Sequence, residues 1–134
     1  MFTLSIVTPE KIFYEGEVAS VILPGGEGYL GVLTDHAPLI TSIKPGKLTI
    51  RDKSQSTMLL AVSFGFFEIS ANHGTLLVDS AEFASNIDIE RARKAMERAR
   101  QRLADKAGNI DIPRAERALE RARNRIAIAQ SRGE

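Results

Sequence analysis

Six arginines near the C-terminal end of the chain could bind an anion, because they recur at helical spacing on two neighbouring segments. They form two rows: Arg91, Arg98 and Arg102, then Arg114, Arg121 and Arg125. Within each row the residues fall within about 20° of one line on a helix that turns about 100° per residue. Guanidinium groups are planar and donate paired hydrogen bonds, which suits polyphosphate oxygens. The alternative is a solvated charged face, whose pairs contribute only a few tenths of a kcal/mol each.

A glycine-rich stretch, Gly26-Glu27-Gly28-Tyr29-Leu30-Gly31, matches the G-x-G-x-x-G pattern of dinucleotide-binding loops. Such a loop must open a helix whose N-terminus faces the pyrophosphate, whereas Asp35 and Pro38 follow closely here. Glu27 would also place a negative charge against the phosphate. We therefore expect a turn or loop. An enzyme that uses this stretch as a cofactor loop is an alternative, and a strand-to-strand connection would exclude it.

The neighbours Asp35 and His36 could suggest acid-base chemistry, with Ser42 or Ser63 as a nucleophile. Adjacent strand residues point to opposite faces, so Asp35 is poorly placed to orient His36. The chain has no cysteine and only one further histidine, His73, which leaves no ligand spacing typical of zinc. We predict no catalytic residue, no metal site and no catalytic cofactor.

Two amphipathic helices are needed to hold the arginine rows. The first is predicted from Ile87 to Ala104, and Ala107-Gly108-Asn109 is predicted to end it. The second begins with Asp111 as N-cap and Pro113 as first helical residue. The apolar stripes are Ala92, Ala95, Met96, Ala99 and Leu103, then Ala115, Ala118, Leu119, Ala122, Ile126 and Ala129.

The two helices are an internal repeat with an offset of 23 residues. Ile87 to Ala92 reads IDIERA, and Ile110 to Ala115 reads IDIPRA. Two similar helices joined by a short loop predict an antiparallel hairpin. Its alanine stripes bury little area, so the hairpin should be marginal on its own.

The first eighty residues predict an all-β domain. Phe2, Leu4 and Ile6 alternate with polar residues, as do Leu48 and Ile50. The turn signals between such runs are Pro24-Gly25-Gly26, Pro45-Gly46, Asp52-Lys53-Ser54 and Asn72-His73-Gly74. The fold class is therefore α+β, with a β-sandwich or flattened barrel at residues 1–85 and a regulatory helical hairpin at residues 86–134.

Charge separates the two parts of the chain. Residues 1–86 contain 5 Lys+Arg and 9 Asp+Glu, whereas residues 87–134 contain 13 and 8. A basic hairpin suits an anionic partner, such as a nucleotide, nucleic acid, lipid headgroup or acidic protein surface. The nucleic-acid alternative is weakened because residues 87–134 contain no aromatic side chain to stack on bases. We expect neither a signal peptide nor membrane insertion.

Three segments closely resemble the epsilon subunit of the bacterial F-type ATP synthase. They are residues 5–9 (SIVTP), 28–39 (GYLGVLTDHAPL) and 63–69 (SFGFFEI), and the resemblance continues through the helical repeat. It implies a flattened sandwich of about ten strands and a non-catalytic subunit of the central rotor stalk.

The resemblance also implies partners and a location. The β-sandwich would bind the gamma subunit and the c-subunit ring, and the helices, when extended, would enter the alpha/beta catalytic head and inhibit ATP hydrolysis. The complex would place the chain peripherally at the cytoplasmic face of the bacterial cell membrane. Glu27, Tyr29 and His36 are carried over as interface residues with the rotor and c ring. Tyr29 departs from the family, which often has an acidic residue there.

Some family members bind ATP at the folded hairpin through the motif I/L-D-x-x-R-A, which Ile87 to Ala92 completes. ATP is then a regulatory ligand that favours the folded, non-inhibitory state. The resemblance assigns Arg91, Arg98, Arg121 and Arg125 to the phosphates. It assigns Glu82, Ile87 and Asp88 to the adenosine end, and Ala92 completes the motif.

Overall fold

The computed structural model of the chain describes residues 1–105 and 111–131. These residues belong to two compact units, Met1–Phe83 and Ala84–Glu134. The first contains β1 (Phe2–Val7), β2 (Ile12–Gly25), β3 (Gly28–Leu33), β4 (Leu39–Ile43), β5 (Gly46–Asp52), β6 (Thr57–Val62), β7 (Gly65–Ser70), β8 (His73–Val78) and β9 (Ala81–Phe83). The second contains a 3-10 turn (Ala84–Asn86), α1 (Ile89–Ala104) and α2 (Ile112–Ser131).

The long strand β2 belongs to both layers of the β-sandwich. Its first half pairs with β1, and the order then continues through β8 and β7 to β4. Its second half pairs with β3 on one side and with β5 on the other, and β6 and β9 follow β5. The described residues therefore form nine strands, and counting β2 once in each layer gives the expected ten.

The core lies between the two layers, as the alternation of apolar residues predicted. Phe2, Leu4 and Ile6 of β1 are at most 2% exposed, and Leu48 and Ile50 of β5 are fully buried. The register places these residues on one face, since successive side chains of a strand point in opposite directions.

Two turns lie one or two residues away from the predicted positions. Pro24 and Gly25 are the last residues of β2, so the turn to β3 consists of Gly26 and Glu27. The turn from β7 to β8 consists of Ala71 and Asn72, which both have positive φ angles, 50° and 59°. Positive φ at both central residues is typical of a tight hairpin turn, and it places His73 at the start of a strand.

Both helices begin after an aspartate cap. Asp88 has extended backbone angles, so α1 begins at Ile89 rather than at Ile87. Asp111 precedes α2, and Pro113 is its second residue rather than its first, still within the first turn, where a missing N–H is tolerated. The predicted helix end at Ala107-Gly108-Asn109 lies outside the described residues.

The two helices pack against each other through small residues. Ala92 and Ala99 of α1 and Ala115, Ala122 and Ala129 of α2 are at most 3% exposed. α2 is four residues longer than α1 and also contacts the 3-10 turn that precedes α1, as expected for an antiparallel pair. Neither helix is long and apolar enough to cross a lipid bilayer.

Candidate functional site

The repeated six-residue motif folds as a helix start. Asp88 Oδ1 accepts a hydrogen bond from the backbone N–H of Arg91 at 3.1 Å, and Asp111 Oδ1 accepts one from Arg114 at 3.1 Å. Ile87 and Ala92, which flank the first cap, are 4% and 0% exposed. They occupy the positions of a hydrophobic staple, in which the residue before the cap packs near the fourth helical residue. Three residues of the motif therefore have a structural role, whereas the Arg91 side chain is exposed.

The arginines of both helices lie on one side of the hairpin. In α1 the row begins directly before buried Ala92, and in α2 it begins directly before buried Ala115. Two repeated helices that pack antiparallel are related by an approximate twofold axis perpendicular to the plane that contains them. Rotation about this axis exchanges the helices but keeps each face of the pair on the same side. Arginines at the same angle from the buried alanines of their helix therefore lie on the same face of the pair. We call this surface the arginine face; its residues are Arg91, Arg98, Arg102, Arg114, Arg121 and Arg125.

The arginine face has few neutralising partners among the residues that the structure describes. Among residues 1–105 and 111–131, Arg91, Arg98, Arg102, Arg114 and Arg121 form no ion pair. The ion pair of α1, Arg93 to Glu90 at 3.1 Å, lies on another side of the helix. No glutamate of either helix falls within about 90° of its arginine row. The face can therefore attract an anion.

The eight residues assigned to ATP are distributed over both units. Arg91, Arg98 and Asp88 are exposed, Arg121 and Arg125 are half-buried, and Ile87 and Ala92 are buried. The hairpin thus brings the four arginines onto one surface. Glu82 lies in β9 of the β unit, opposite Ala61 of β6. Its assignment to the adenosine end stays a prediction.

Glu27 and Tyr29 of the predicted rotor interface line one groove of about 490 Å³ beside strand β4. Glu27 is in the exposed turn between β2 and β3, and Tyr29 is 55% exposed in β3. His36 does not line this groove. It lies in the loop before β4, where its Nδ1 is 2.7 Å from the carbonyl oxygen of Ala37.

The hydroxyl oxygen of Tyr29 accepts a hydrogen bond from the backbone N–H of Lys47 at 2.9 Å. Tyr29 can therefore serve as an acceptor at a position where the resembled family often has an acidic side chain. We expect Tyr29→Phe to lower the free energy of unfolding by about 0.5–1 kcal/mol, because water can partly replace the lost partner. Urea denaturation would measure this change, and an unchanged midpoint would show that the bond contributes nothing.

An exposed row of apolar side chains crosses the outer face of one layer. Phe66 of β7 is paired with Leu77 of β8, Leu77 with Val7 of β1, and Val7 with Ile12 of β2. Phe66, Leu77 and Ile12 are 61%, 52% and 62% exposed. We call these four residues the outer apolar row. Ile40, 71% exposed, lies on the neighbouring strand β4.

The outer apolar row was not predicted from the sequence, although the sequence contains a signal for it. Phe66-Phe67 and Leu76-Leu77 are pairs of adjacent large apolar residues in strands. Only one member of each pair can face the core, because side chains alternate. The other must face outwards, and an exposed apolar patch of this kind is typical of an interaction surface.

The structure excludes the enzyme alternative built on the glycine-rich stretch. Gly26 and Glu27 connect β2 to β3, with Gly25 paired to Gly28, so no helix follows the stretch. Asp35 also forms hydrogen bonds with Asn72 rather than with His36. Its backbone N–H donates to Asn72 Oδ1 at 2.7 Å, and Asn72 Nδ2 donates to its carboxylate at 2.9 Å.

Ser63 and two titratable residues of the β unit, Tyr14 and Asp52, take part in local structure. Ser63 is 2% exposed, and its Oγ accepts a hydrogen bond from Ser80 N–H at 3.0 Å. Burial raises the pKa of Tyr14, with a smaller contribution from Asp52. Hydrogen bonds from Ser54 lower the pKa of Asp52, which shapes the turn from β5 to β6. The described residues contain no cluster of three potential metal ligands.

Comparison with known proteins finds two family matches that together extend over nearly the whole chain. A family described as "ATP synthase, Delta/Epsilon chain, beta-sandwich domain" matches residues 1–84, and one described as "ATP synthase, Delta/Epsilon chain, long alpha-helix domain" matches residues 85–130. The ATP synthase epsilon chain of Moorella thermoacetica is 47% identical over 103 residues, covering 77% of each chain. That of Brevibacillus brevis is 39% identical over 104 residues, covering 78% of this chain and 79% of the relative.

Two solved structures share the fold. A chain of the Euglena gracilis mitochondrial ATP synthase, determined as OSCP/F1/c-ring, superposes with a TM-score of 0.79 at 24% identity, covering 92% of this chain and 78% of that one. A chain of the Tetrahymena thermophila mitochondrial ATP synthase, determined as central stalk/c-ring, gives 0.60 at 16% identity, covering 96% and 92%. At these identities the similarity establishes the common fold.

Proposed function

The chain belongs to the ATP synthase delta/epsilon chain family, and from this premise we propose that its helical hairpin is an ATP-gated arm that controls hydrolysis by the complex. As an epsilon chain it is a non-catalytic subunit of the ATP synthase central stalk. The proposal concerns what the hairpin binds and how that binding regulates the complex.

The observation that carries the proposal is the arrangement of arginines on one face of two packed helices. Arg91 and Arg125 lie at the end of the hairpin where α1 begins, and Arg98 and Arg121 lie near the middle of the helices. A polyphosphate bound there would contact both helices, because the guanidinium groups come from both sides of the alanine seam. The backbone N–H of Arg91 is already bonded to Asp88, so the side chains must supply the contacts.

The position of Arg91 supports a role outside helix stability. It lies in the first turn of α1, where the helix macrodipole disfavours a cation. Residues that break a local rule without a compensating contact are often functional. Arg91 has no ion pair among the described residues, so a bound anion would supply its missing counter-charge.

Gating follows from differential binding. ATP that bridges α1 and α2 stabilises the paired hairpin relative to any state in which the helices separate. ATP can change the ratio of paired to separated hairpins by at most the ratio of its affinities for these two states. We propose that the separated helices are the inhibitory form and extend into the alpha/beta catalytic head, where their basic surface meets acidic groups.

Isothermal titration of the full chain with ATP tests the binding step. We expect a saturable isotherm with one ATP per chain. The titration should be run with and without magnesium, because the part of the chain that the structure describes contains no group of three side chains that could hold a metal ion without ATP. Absence of a saturable isotherm in both conditions would remove ATP gating and leave the family assignment unaffected.

We also propose that the outer apolar row and the groove at Tyr29 are the two docking surfaces of the β-sandwich. The outer apolar row suits an apolar helical surface such as that of the gamma subunit, whereas the polar groove beside Glu27 suits the c-subunit ring. Family membership supports both partners. Together they would hold the chain peripherally at the cytoplasmic face of the cell membrane.

Phe66→Ser tests the docking surface with little risk to the fold. The Phe66 side chain is 61% exposed, so its loss should change stability little but weaken association with the gamma subunit by about tenfold or more. Leu33→Ser is the matched control, because Leu33 is 64% exposed on β3, in the other layer. Equal weakening by both variants in a pull-down titration would contradict the assignment.

A further inference from the structure

The loop end of the arginine face carries cations that the proposed ATP site does not use. Arg102 is in the last turn of α1 and Arg114 in the first turn of α2, so both lie where the chain passes from one helix to the other. Both side chains are exposed, and neither forms an ion pair within residues 1–105 and 111–131.

Arg114 is placed against its local preference. A cation in the first helical turn is disfavoured by the macrodipole, and the first turn of α2 contains no acidic residue to offset it. The backbone N–H of Arg114 donates to the Asp111 cap, and the guanidinium has no ion-pair partner among the residues that the structure describes. Arg91 of α1 likewise forms no ion pair within residues 1–105 and 111–131, although the first turn of α1 contains Glu90.

The internal repeat relates the two ends of the hairpin. An offset of 23 residues takes Arg91 to Arg114, Arg98 to Arg121 and Arg102 to Arg125. Because the helices are antiparallel, this offset corresponds to rotation about the approximate twofold axis. The four arginines of the proposed ATP site therefore map onto a second set of four at the loop end. That set is Arg114, Arg121, Arg98 and Arg102.

We propose that the loop end is a second polyphosphate-binding position, formed by Arg102 and Arg114 together with the central pair Arg98 and Arg121. Its ligand is inorganic polyphosphate, a free chain of phosphate groups. The position needs no adenosine contact, because only guanidinium groups define it. This proposal rests on the proposed function only in that Arg98 and Arg121 belong to both positions. Binding at the loop end does not require ATP to bind at the other end.

Sharing Arg98 and Arg121 has a regulatory consequence. Two polyanions cannot both use the central pair, and their like charges repel at this separation. Occupancy of the loop end must therefore weaken ATP binding, and by reciprocity ATP must weaken binding at the loop end by the same factor. Inorganic polyphosphate would act as a competitor of ATP at the hairpin.

Titrations of the full chain with ATP and with inorganic tripolyphosphate separate the two positions. Three double variants are needed: Arg91→Gln with Arg125→Gln, Arg102→Gln with Arg114→Gln, and the control Arg100→Gln with Arg123→Gln. The control pair is also repeat-related and exposed, but it lies about 180° from the arginine rows. Circular dichroism should show equal helix content, because glutamine is a good helix former.

The variant at Arg91 and Arg125 should lose more than about 100-fold in ATP affinity but keep tripolyphosphate affinity within about threefold of the unmodified chain. Adding Arg102→Gln and Arg114→Gln to it should then weaken tripolyphosphate binding by at least tenfold more. Arginine Nε–Hε NMR signals of Arg102 and Arg114 should shift on tripolyphosphate addition. The control variant should behave as the unmodified chain.

The second position is overturned if the variant at Arg91 and Arg125 loses tripolyphosphate as strongly as ATP, or if the further two substitutions change nothing. Equal losses in the control variant would also overturn it, since net charge alone would then explain binding. If tripolyphosphate binds at the loop end while ATP does not bind the unmodified chain, the ATP proposal fails and the second position stands.

Discussion

Replacing Arg91 and Arg125 together by glutamine is expected to weaken ATP binding to the chain by more than 100-fold. Each guanidinium can donate charge-assisted hydrogen bonds to phosphate, and losing such a bond weakens binding by about 10-fold or more. The two residues come from different helices, so their loss removes the bridge as well as the charge. Isothermal titration of the full-length variant measures the effect.

The double variant Arg100→Gln with Arg123→Gln is the matched control for this prediction. It removes the same charge from the same two helices, and both of its side chains are exposed on the opposite side. We expect less than a threefold change in ATP affinity, because long-range attraction is screened at physiological salt. If the two double variants weaken ATP binding equally, the arginine face is a solvated surface and not a site.

Gly65→Ala is expected to destabilise the β unit by more than about 3 kcal/mol. A Cβ at Gly65 would overlap the carbonyl oxygen of Leu77 and lie 2.8 Å from the Leu77 carbonyl carbon and from Val78 Cα. These are backbone atoms of the paired strand β8, so no side-chain rotation can relieve the contact. The strand pair β7 and β8 must separate, and it carries Phe66 and Leu77 of the outer apolar row.

Gly31→Ala provides the control within the same β unit. A Cβ at Gly31 meets no heavy atom within 4 Å, so alanine should be tolerated with a change below about 0.5 kcal/mol. Urea denaturation followed by far-ultraviolet circular dichroism compares the two variants. Equal stability of Gly65→Ala and the unmodified chain would show that β7 and β8 are not paired at this register.

The fold could be predicted from the sequence wherever one simple period dominates. Alternation identified the core residues of β1 and β5. The apolar stripe predicted for α1 included Ala92 and Ala99, which are buried, whereas its other members, Ala95, Met96 and Leu103, are half-buried. The count of strands was harder, because β2 is continuous over 14 residues and changes partners along its length. Local patterns do not reveal such a change of partner.

The candidate site could be predicted only in part from the sequence. The 23-residue repeat predicted the two arginine rows, and the prediction that Asp111 caps the second helix is confirmed by its hydrogen bond with the N–H of Arg114. The equivalent role of Asp88, which accepts from the N–H of Arg91, was not predicted. The outer apolar row escaped prediction because Phe66, Leu77 and Ile12 are distant in sequence and become neighbours only through strand pairing. Assignment of ATP to the arginines rests on the resemblance, since spacing alone allowed a solvated face.

The distance between the two helices in the assembled ATP synthase, with and without ATP, tests the central claim most directly. The chain has no cysteine, so Lys94→Cys and Ala127→Cys, both at exposed positions, can carry one spin label each. Pulsed electron resonance should show a short-distance population that grows on ATP addition, and this response should be absent when Arg91→Gln and Arg125→Gln are included. A distance distribution that does not change at saturating ATP would contradict the account, because ATP would then bind without gating the arm.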